Sequence, residues 1–174
     1  MPCPYLSGQV EQQLFTELSG AQALDTFDVL SQGGFRRSHH IIYKPACTRC
    51  TACVPVRIPV SRFKSSRAWR KINNRNADLT IVDVGTRITE EQYELFKSYT
   101  NRRHGDGEMA KMSRRDYAAM VLSSPVDTVL VEFRNGSGKL IAVCLMDRLA
   151  GGLSAVYSFF DPDKDRRSLG SYVI

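Results

Sequence analysis

Cys47, Cys50 and Cys53 are each separated by two residues, a spacing at which thiolates in a tight turn can chelate one metal. Cys3 is the one other cysteine free to join them, because Cys144 alternates with apolar neighbours and reads as core. Zn²⁺ or an iron–sulfur cluster is the group such a set would hold. The run opens like a bacterial ferredoxin motif, but Arg57 stands where the fourth ligand of that motif would fall. Reduced thiols at the tip of a hairpin are the alternative. A second chemical feature lies in Gly152–Gly170. Leu153–Phe160 is an apolar, aromatic run that reads as a buried strand, and Asp161-Pro162-Asp163 breaks it. A charged loop then ends in Arg167-Ser168-Leu169-Gly170, followed by the first turn of a helix. Strand, basic glycine-containing loop and helix start together favour an anion, with Arg167 supplying a fork of donors. His39-His40, read as strand residues, would point to opposite faces and so could not serve one site. His104, in Arg103-His104-Gly105, reads first as a cation at a helix C-terminus.

Charge divides the chain. The net charge is +6, yet from Val29 to Ala77 there is no Asp or Glu, and eleven Lys and Arg there leave −5 for the remainder. An acid-free run of this kind favours a polyanion, nucleic acid above all, over a merely solvated face. Neither a leader pattern nor an apolar run of membrane-crossing length is present, so the expectation is a cytosolic protein with reduced or metal-bound cysteines.

These features need elements to hold them. Residues 1–76 read as a small basic, cysteine-containing domain. In it, Leu14, Phe15 and Leu18 fall at helical spacing, and Phe35–Val60 reads as a hairpin with the cysteines at its tip. Ser65–Asn76 is a helix candidate that places Arg67, Arg70 and Lys71 on one face, with Arg75 a turn further and Trp69 and Ile72 inward. Residues 77–174 form the second domain. Leu79–Val84 reads as a strand, Thr89 and Gln92 as a capping box, and Tyr93, Phe96 and Tyr99 as the core stripe of the helix that follows. Ser113 caps another helix. Strands over Asp127–Arg134 and Lys139–Leu149 flank the turn Asn135-Gly136-Ser137-Gly138, and Leu153–Phe160 follows. Ser171–Ile174 resembles the opening of an element that does not finish, which predicts a truncated C-terminal part.

This order, with the loop from Arg167 to Gly170, resembles the acetyltransferase-like (GNAT) fold; Tyr172 departs from the small residue that fold expects there. The resemblance implies an α+β protein with a mixed, mostly antiparallel sheet, flanking helices and an acyl group delivered at a central strand. More of the chain carries a closer resemblance. Cys3-Pro4-Tyr5-Leu6, Gly34-Phe35-Arg36-Arg37-Ser38, Tyr43-Lys44-Pro45 with the three spaced cysteines and Val54-Pro55-Val56-Arg57, Arg67 to Asn76, Arg103-His104, Gly152 to Pro162 and Arg167-Ser168-Leu169-Gly170 together resemble the bacterial aspartate/glutamate leucyltransferases. These are related to arginyl-tRNA–protein transferases. The resemblance implies transfer of leucine from leucyl-tRNA to proteins beginning with Asp or Glu, which marks them for degradation.

An ester donor and an amine acceptor need no metal and no covalent nucleophile. They need a neutral amine and donors for a tetrahedral oxyanion. On this reading Asp161 accepts or orients the amine proton, and Tyr157 positions the ester or donates to the oxyanion. Arg36 or Arg37 binds the acidic acceptor, with Arg103 and His104 as runners-up. Arg67, Arg70, Lys71 and Arg75 form a phosphate track for tRNA, with Arg167 near its acceptor end. The competing readings are an acetyl-CoA-dependent N-acetyltransferase and a metal-ribbon nucleic-acid-binding module without catalysis.

Overall fold

The structure is a computed structural model and describes residues 2–174. Two compact units make up the chain, one ending at Phe63 and the other running Lys64–Ile174. The basic helix after Ser66 therefore belongs to the second unit.

In the first unit, β1 (Gln13–Glu17) and α1 (Ala23–Gln32) precede a hairpin of β2 (Arg36–Ser38) and β3 (Ile41–Pro45). The sheet order is β1-β3-β2, antiparallel throughout, with Phe15 opposite Tyr43 and Arg36 also opposite Tyr43. The helical spacing expected at Leu14, Phe15 and Leu18 is overturned, because pairing with β3 draws Gln13–Glu17 into a strand. The expected hairpin over Phe35–Val60 is also corrected. The hairpin closes at His39-His40, and Val54–Pro59 is extended without a strand partner among the described residues. Pro55 and Pro59 lack the N–H groups a ladder needs. Pro55 instead packs on Gly34, where φ is +84° and an added Cβ would lie 2.6 Å from Pro55 Cγ. Only glycine fits there.

The second unit opens with α2 (Arg67–Arg75), whose N-cap Ser66 accepts a hydrogen bond from the Trp69 N–H at 3.3 Å. Then come β4 (Thr80–Asp83), α3 (Glu90–His104), the single turn α4 (Glu108–Lys111), α5 (Arg114–Leu122), β5 (Thr128–Arg134), β6 (Leu140–Leu149), β7 (Gly152–Phe160) and α6 (Leu169–Tyr172). Both capping boxes form: Thr89 with Gln92, and Ser113 with Asp116. The sheet runs β4-β5-β6-β7 with every pairing antiparallel, so the structure is α+β with antiparallel sheets. Its two faces bury separate cores. Phe96, Tyr117, Val121, Leu130 and Phe159 fill one, under α3 and α5; Leu79, Phe133, Ile141, Cys144, Leu169 and Val173 fill the other, under α6. β6 is consequently apolar along most of its length. Among the described residues β7, which carries Tyr157, pairs with β6 alone. No helix among the described residues is long and apolar enough to cross a membrane.

Candidate functional site

Strand β7, the loop after it and the C-terminal ends of α2 and α3 bring the candidate residues of the second unit together. Tyr157 sits opposite Leu145, next to a bulge: the following register pair is Met146 with Ala155, so Val156 is the extra residue. The Tyr157 ring meets the edge of Phe96 at 6.2 Å and lies 6.4 Å from Phe159. Its Oη is buried without a hydrogen-bond partner. Burial, with a smaller contribution from Tyr99, pushes its pKa up to about 12. At neutral pH it is therefore a phenol, an O–H donor with no acceptor supplied by the fold.

Asp161 is differently placed. Its N–H donates to Ile141 O at 2.9 Å, continuing the ladder past β7. Its Oδ1 accepts the Asp163 N–H at 3.0 Å, and its Oδ2 pairs with Lys139 Nζ at 3.3 Å. Both carboxylate oxygens thus hold the turn that ends the strand. Tyr157 and Asp161 share a sheet face but stand four residues apart in extended chain, roughly 13 Å between their Cα atoms. They do not converge on one reacting atom.

The loop beyond is pinned to α2. Arg75 Nη1 donates to Arg166 O at 3.1 Å, and Asn76 Nδ2 donates to Arg167 O at 2.9 Å. Arg167 Nη2 reaches both oxygens of Asp78, at 3.0 and 2.9 Å, while its Nη1 is buried without a partner. That guanidinium holds the Asp78 carboxyl below its ordinary pKa. Arg75, Arg166 and Arg167 line an open pocket of about 410 Å³. Asp78 compensates the Arg167 guanidinium, and Arg75 and Arg166 leave the concavity basic. Gly170 has a packing role: an added Cβ would come within 3.3 Å of Phe160 Cε1. From α3, Arg103 lies over the Phe160 ring at 5.7 Å and pairs with Asp165 at 3.2 Å. His104 stacks edge-on to Tyr99 at 6.1 Å. Arg67, Arg70 and Lys71 are exposed on α2, with Trp69 and Ile72 half-buried.

Sequence reasoning named Arg75 and Arg167 but not Arg166, Asp78 or Lys139. Arg166 carried a signal, since it adjoins Arg167 in the same charged loop. Asp78 and Lys139 carried none, because each acts through a partner distant in sequence.

In the first unit, Arg36 is exposed on β2. Arg37 is buried, and its Nη1 donates to His39 O at 2.7 Å. His39 and His40 are the two turn residues of the hairpin, His39 with φ +54°, and both line one pocket. The expectation that they face apart is corrected by the turn. Cys3, Cys47, Cys50 and Cys53 are free thiols. Among the described residues, no three His, Cys, Asp or Glu side chains gather as a metal-holding group. Cys47 instead sits against Gln12, whose N–H donates to its Sγ at 3.4 Å.

Two family models match the chain. Residues 1–71 match the N terminus of arginine-tRNA-protein transferases, and residues 91–174 match their C terminus. The chain is similar to the aspartate/glutamate leucyltransferase of Granulibacter bethesdensis, 51% identical over 173 residues that cover 99% of this chain and 65% of that protein. It is also similar to that of Paramagnetospirillum magneticum, 50% identical over 174 residues, covering 100% of this chain and 71% of the relative. For Methylorubrum extorquens the identity is 50% over 183 residues, covering 99% and 74%. The chain thus spans 65% of the first of these relatives.

Proposed function

The chain belongs to the aspartate/glutamate leucyltransferase family, and from that premise we propose that it transfers leucine from leucyl-tRNA to the N-terminal amine of proteins beginning with Asp or Glu. The observation that carries this reading is the pocket lined by Arg75, Arg166 and Arg167, which joins the basic helix α2 to the loop leaving β7. Phosphates of the tRNA follow Arg67, Arg70, Lys71 and Arg75 toward Arg166 and Arg167. Bases carry no part of this grip, so it depends on salt.

The second unit is read as an acetyltransferase-like sheet that presents the ester beside β7. The acceptor's α-amine, with an ordinary pKa near 8, attacks in its neutral form. The new C–N bond forms as the ester C–O bond breaks, and the amine proton ends on the ribose oxygen that leaves. Tyr157, a neutral phenol with an unpartnered Oη, supports the oxyanion as its donor. Asp161 is a positioning residue that fixes the turn through Lys139 and Asp163. Arg103 and His104, at the end of α3, are the acceptor's carboxylate partners within this unit, and Arg36 is the exposed candidate in the other. No step requires a metal. An acetyl-CoA-dependent activity has no support from the relatives.

The test is direct. The chain is incubated with leucyl-tRNA and peptides beginning Asp, Glu or Ala, and products are read by mass spectrometry. Leucine on the Asp and Glu peptides alone is expected. Transfer to all three peptides, or none from leucyl-tRNA, overturns the reading.

A further inference from the structure

The arginines of the second unit differ in how firmly their guanidinium groups are occupied. Arg134 pairs with Glu91 and Glu132, Arg148 with Asp83 and Asp127, and Arg167 with both oxygens of Asp78. Arg103 makes one ion-pair contact among the described residues, Nη2 to Asp165 Oδ1 at 3.2 Å. Both side chains face solvent, at 47% and 73% exposure. A single-armed pair of this kind in water contributes little and opens readily. The guanidinium does not depend on it for its position. It lies 5.7 Å from the centre of the Phe160 ring, and that ring is packed 4.8 Å from the Tyr99 ring. The backbone around Asp165 is also fixed without its carboxylate, because Arg75 and Asn76 donate to the carbonyls of Arg166 and Arg167. The Asp165 side chain can therefore swing away with the loop still in place. That leaves a stacked, two-armed donor fork open to solvent. Arg102 and His104 flank it in the last turn of α3, and the nearest acids along the chain are Asp106, past the helix, and Asp163, before the turn.

A carboxylate on Arg103 is what the side chain of an acceptor's first Asp or Glu presents. We propose that Asp165 is an internal stand-in for it: without acceptor its carboxylate occupies Arg103, and the side-chain carboxylate of the incoming Asp or Glu displaces it and takes both arms of the fork. Competition of this kind lowers the apparent affinity by the fraction of molecules in which Arg103 is free. It also sharpens the choice of acceptor, because a first residue without a carboxylate, such as Asn, leaves the internal pair closed. The inference rests on Arg103 as the acceptor's partner, and it is tested without leucine transfer.

The full chain is titrated, without tRNA, with fluorescein-labelled peptides that begin with Asp or with Asn and are otherwise identical, and binding is read by anisotropy. Asp165→Asn should bind the Asp peptide about fivefold tighter than the unsubstituted chain, and the Asn peptide no tighter. Asp106→Asn, which removes the same charge from a neighbouring loop, should leave both affinities as they are. Arg103→Ala should bring the Asp peptide down to the level of the Asn peptide, and Asp165→Asn should add nothing in that background. Thermal melts show that the variants remain folded. Unchanged or weaker Asp-peptide binding in Asp165→Asn overturns the proposal. So does an equal gain for both peptides, a gain that survives Arg103→Ala, or an unsubstituted chain that does not tell the two peptides apart. Tighter binding in Asp165→Asn without leucine transfer from leucyl-tRNA would sink the transferase reading and leave this one standing; transfer confined to Asp and Glu peptides with Asp165→Asn unchanged would do the reverse.

Discussion

At the scale of single residues, two tyrosines set the limits. Tyr117 is fully buried and its Oη has no hydrogen-bond partner. A buried hydroxyl without a partner costs about 1–3 kcal/mol. Tyr117→Phe should therefore leave stability unchanged or raise it by about 1 kcal/mol in urea denaturation, since the ring contacts to Phe96 and Phe159 remain. Tyr157→Phe should lower the transfer rate at least tenfold, with little change in tRNA affinity, if the phenol acts only on the oxyanion. The pH dependence has a definite sign. Burial raises the pKa of Tyr117, of Tyr157 to about 12 and of Cys144 to about 12. Groups raised in the folded state bind their protons longer than in the unfolded chain. Their contribution is complete below the ordinary thiol and phenol values and is lost as pH climbs past them. Urea midpoints should stay level on account of these groups up to about pH 8 and fall between about pH 9 and 12, less steeply in Tyr157→Phe.

At the scale of elements, local signals were legible and non-local ones were not. The boxes at Thr89-Gln92 and Ser113-Asp116 could be read because each is complete within four residues. Thr89→Ala should cost about 1 kcal/mol on thermal unfolding. The α2 helix was readable for the same reason, with Ser66 before it and Trp69 and Ile72 turned inward. β1 was not readable, because Leu14 and Phe15 are exposed and only pairing with β3 makes their segment a strand. The hairpin at His39-His40 lacks the Asn-Gly or Gly signal that usually marks one. As for the candidate site, Tyr157, Arg75 and Arg167 are proposed from the sequence, and the structure sets Arg75 and Arg167 at one pocket. That the Asp161 carboxylate is occupied by Lys139 could not be read there, since Lys139 lies on a neighbouring strand. Gly34→Ala should destabilise the chain by at least 1 kcal/mol, measured in urea, because a methyl group there meets Pro55 at a positive φ.

At the scale of the whole molecule, the uneven charge and the two compact units are the governing facts. Lys64, Ser65 and Ser66, which open the second unit, are exposed and outside any helix or strand. Limited trypsin digestion should cut first around Arg62, Lys64 and Arg67, giving a fragment that begins near the start of α2. Reversing charge at Arg67 and Arg70 should weaken tRNA binding and flatten the dependence of its logarithm on salt. The composition boundary near Asn76 and the packing boundary after Phe63 differ because charge and burial follow different rules: α2 is basic like the first unit, yet its C-terminal end is hydrogen-bonded to the loop after β7. β7 itself has one neighbour, β6, in the described sheet. Every second amide along it is thus tied to β6, and the amides between turn outward. Deuterium uptake should alternate residue by residue from Leu153 onward, and the extra residue Val156 should shift that alternation by one position, so that slow and fast amides exchange places on either side of it.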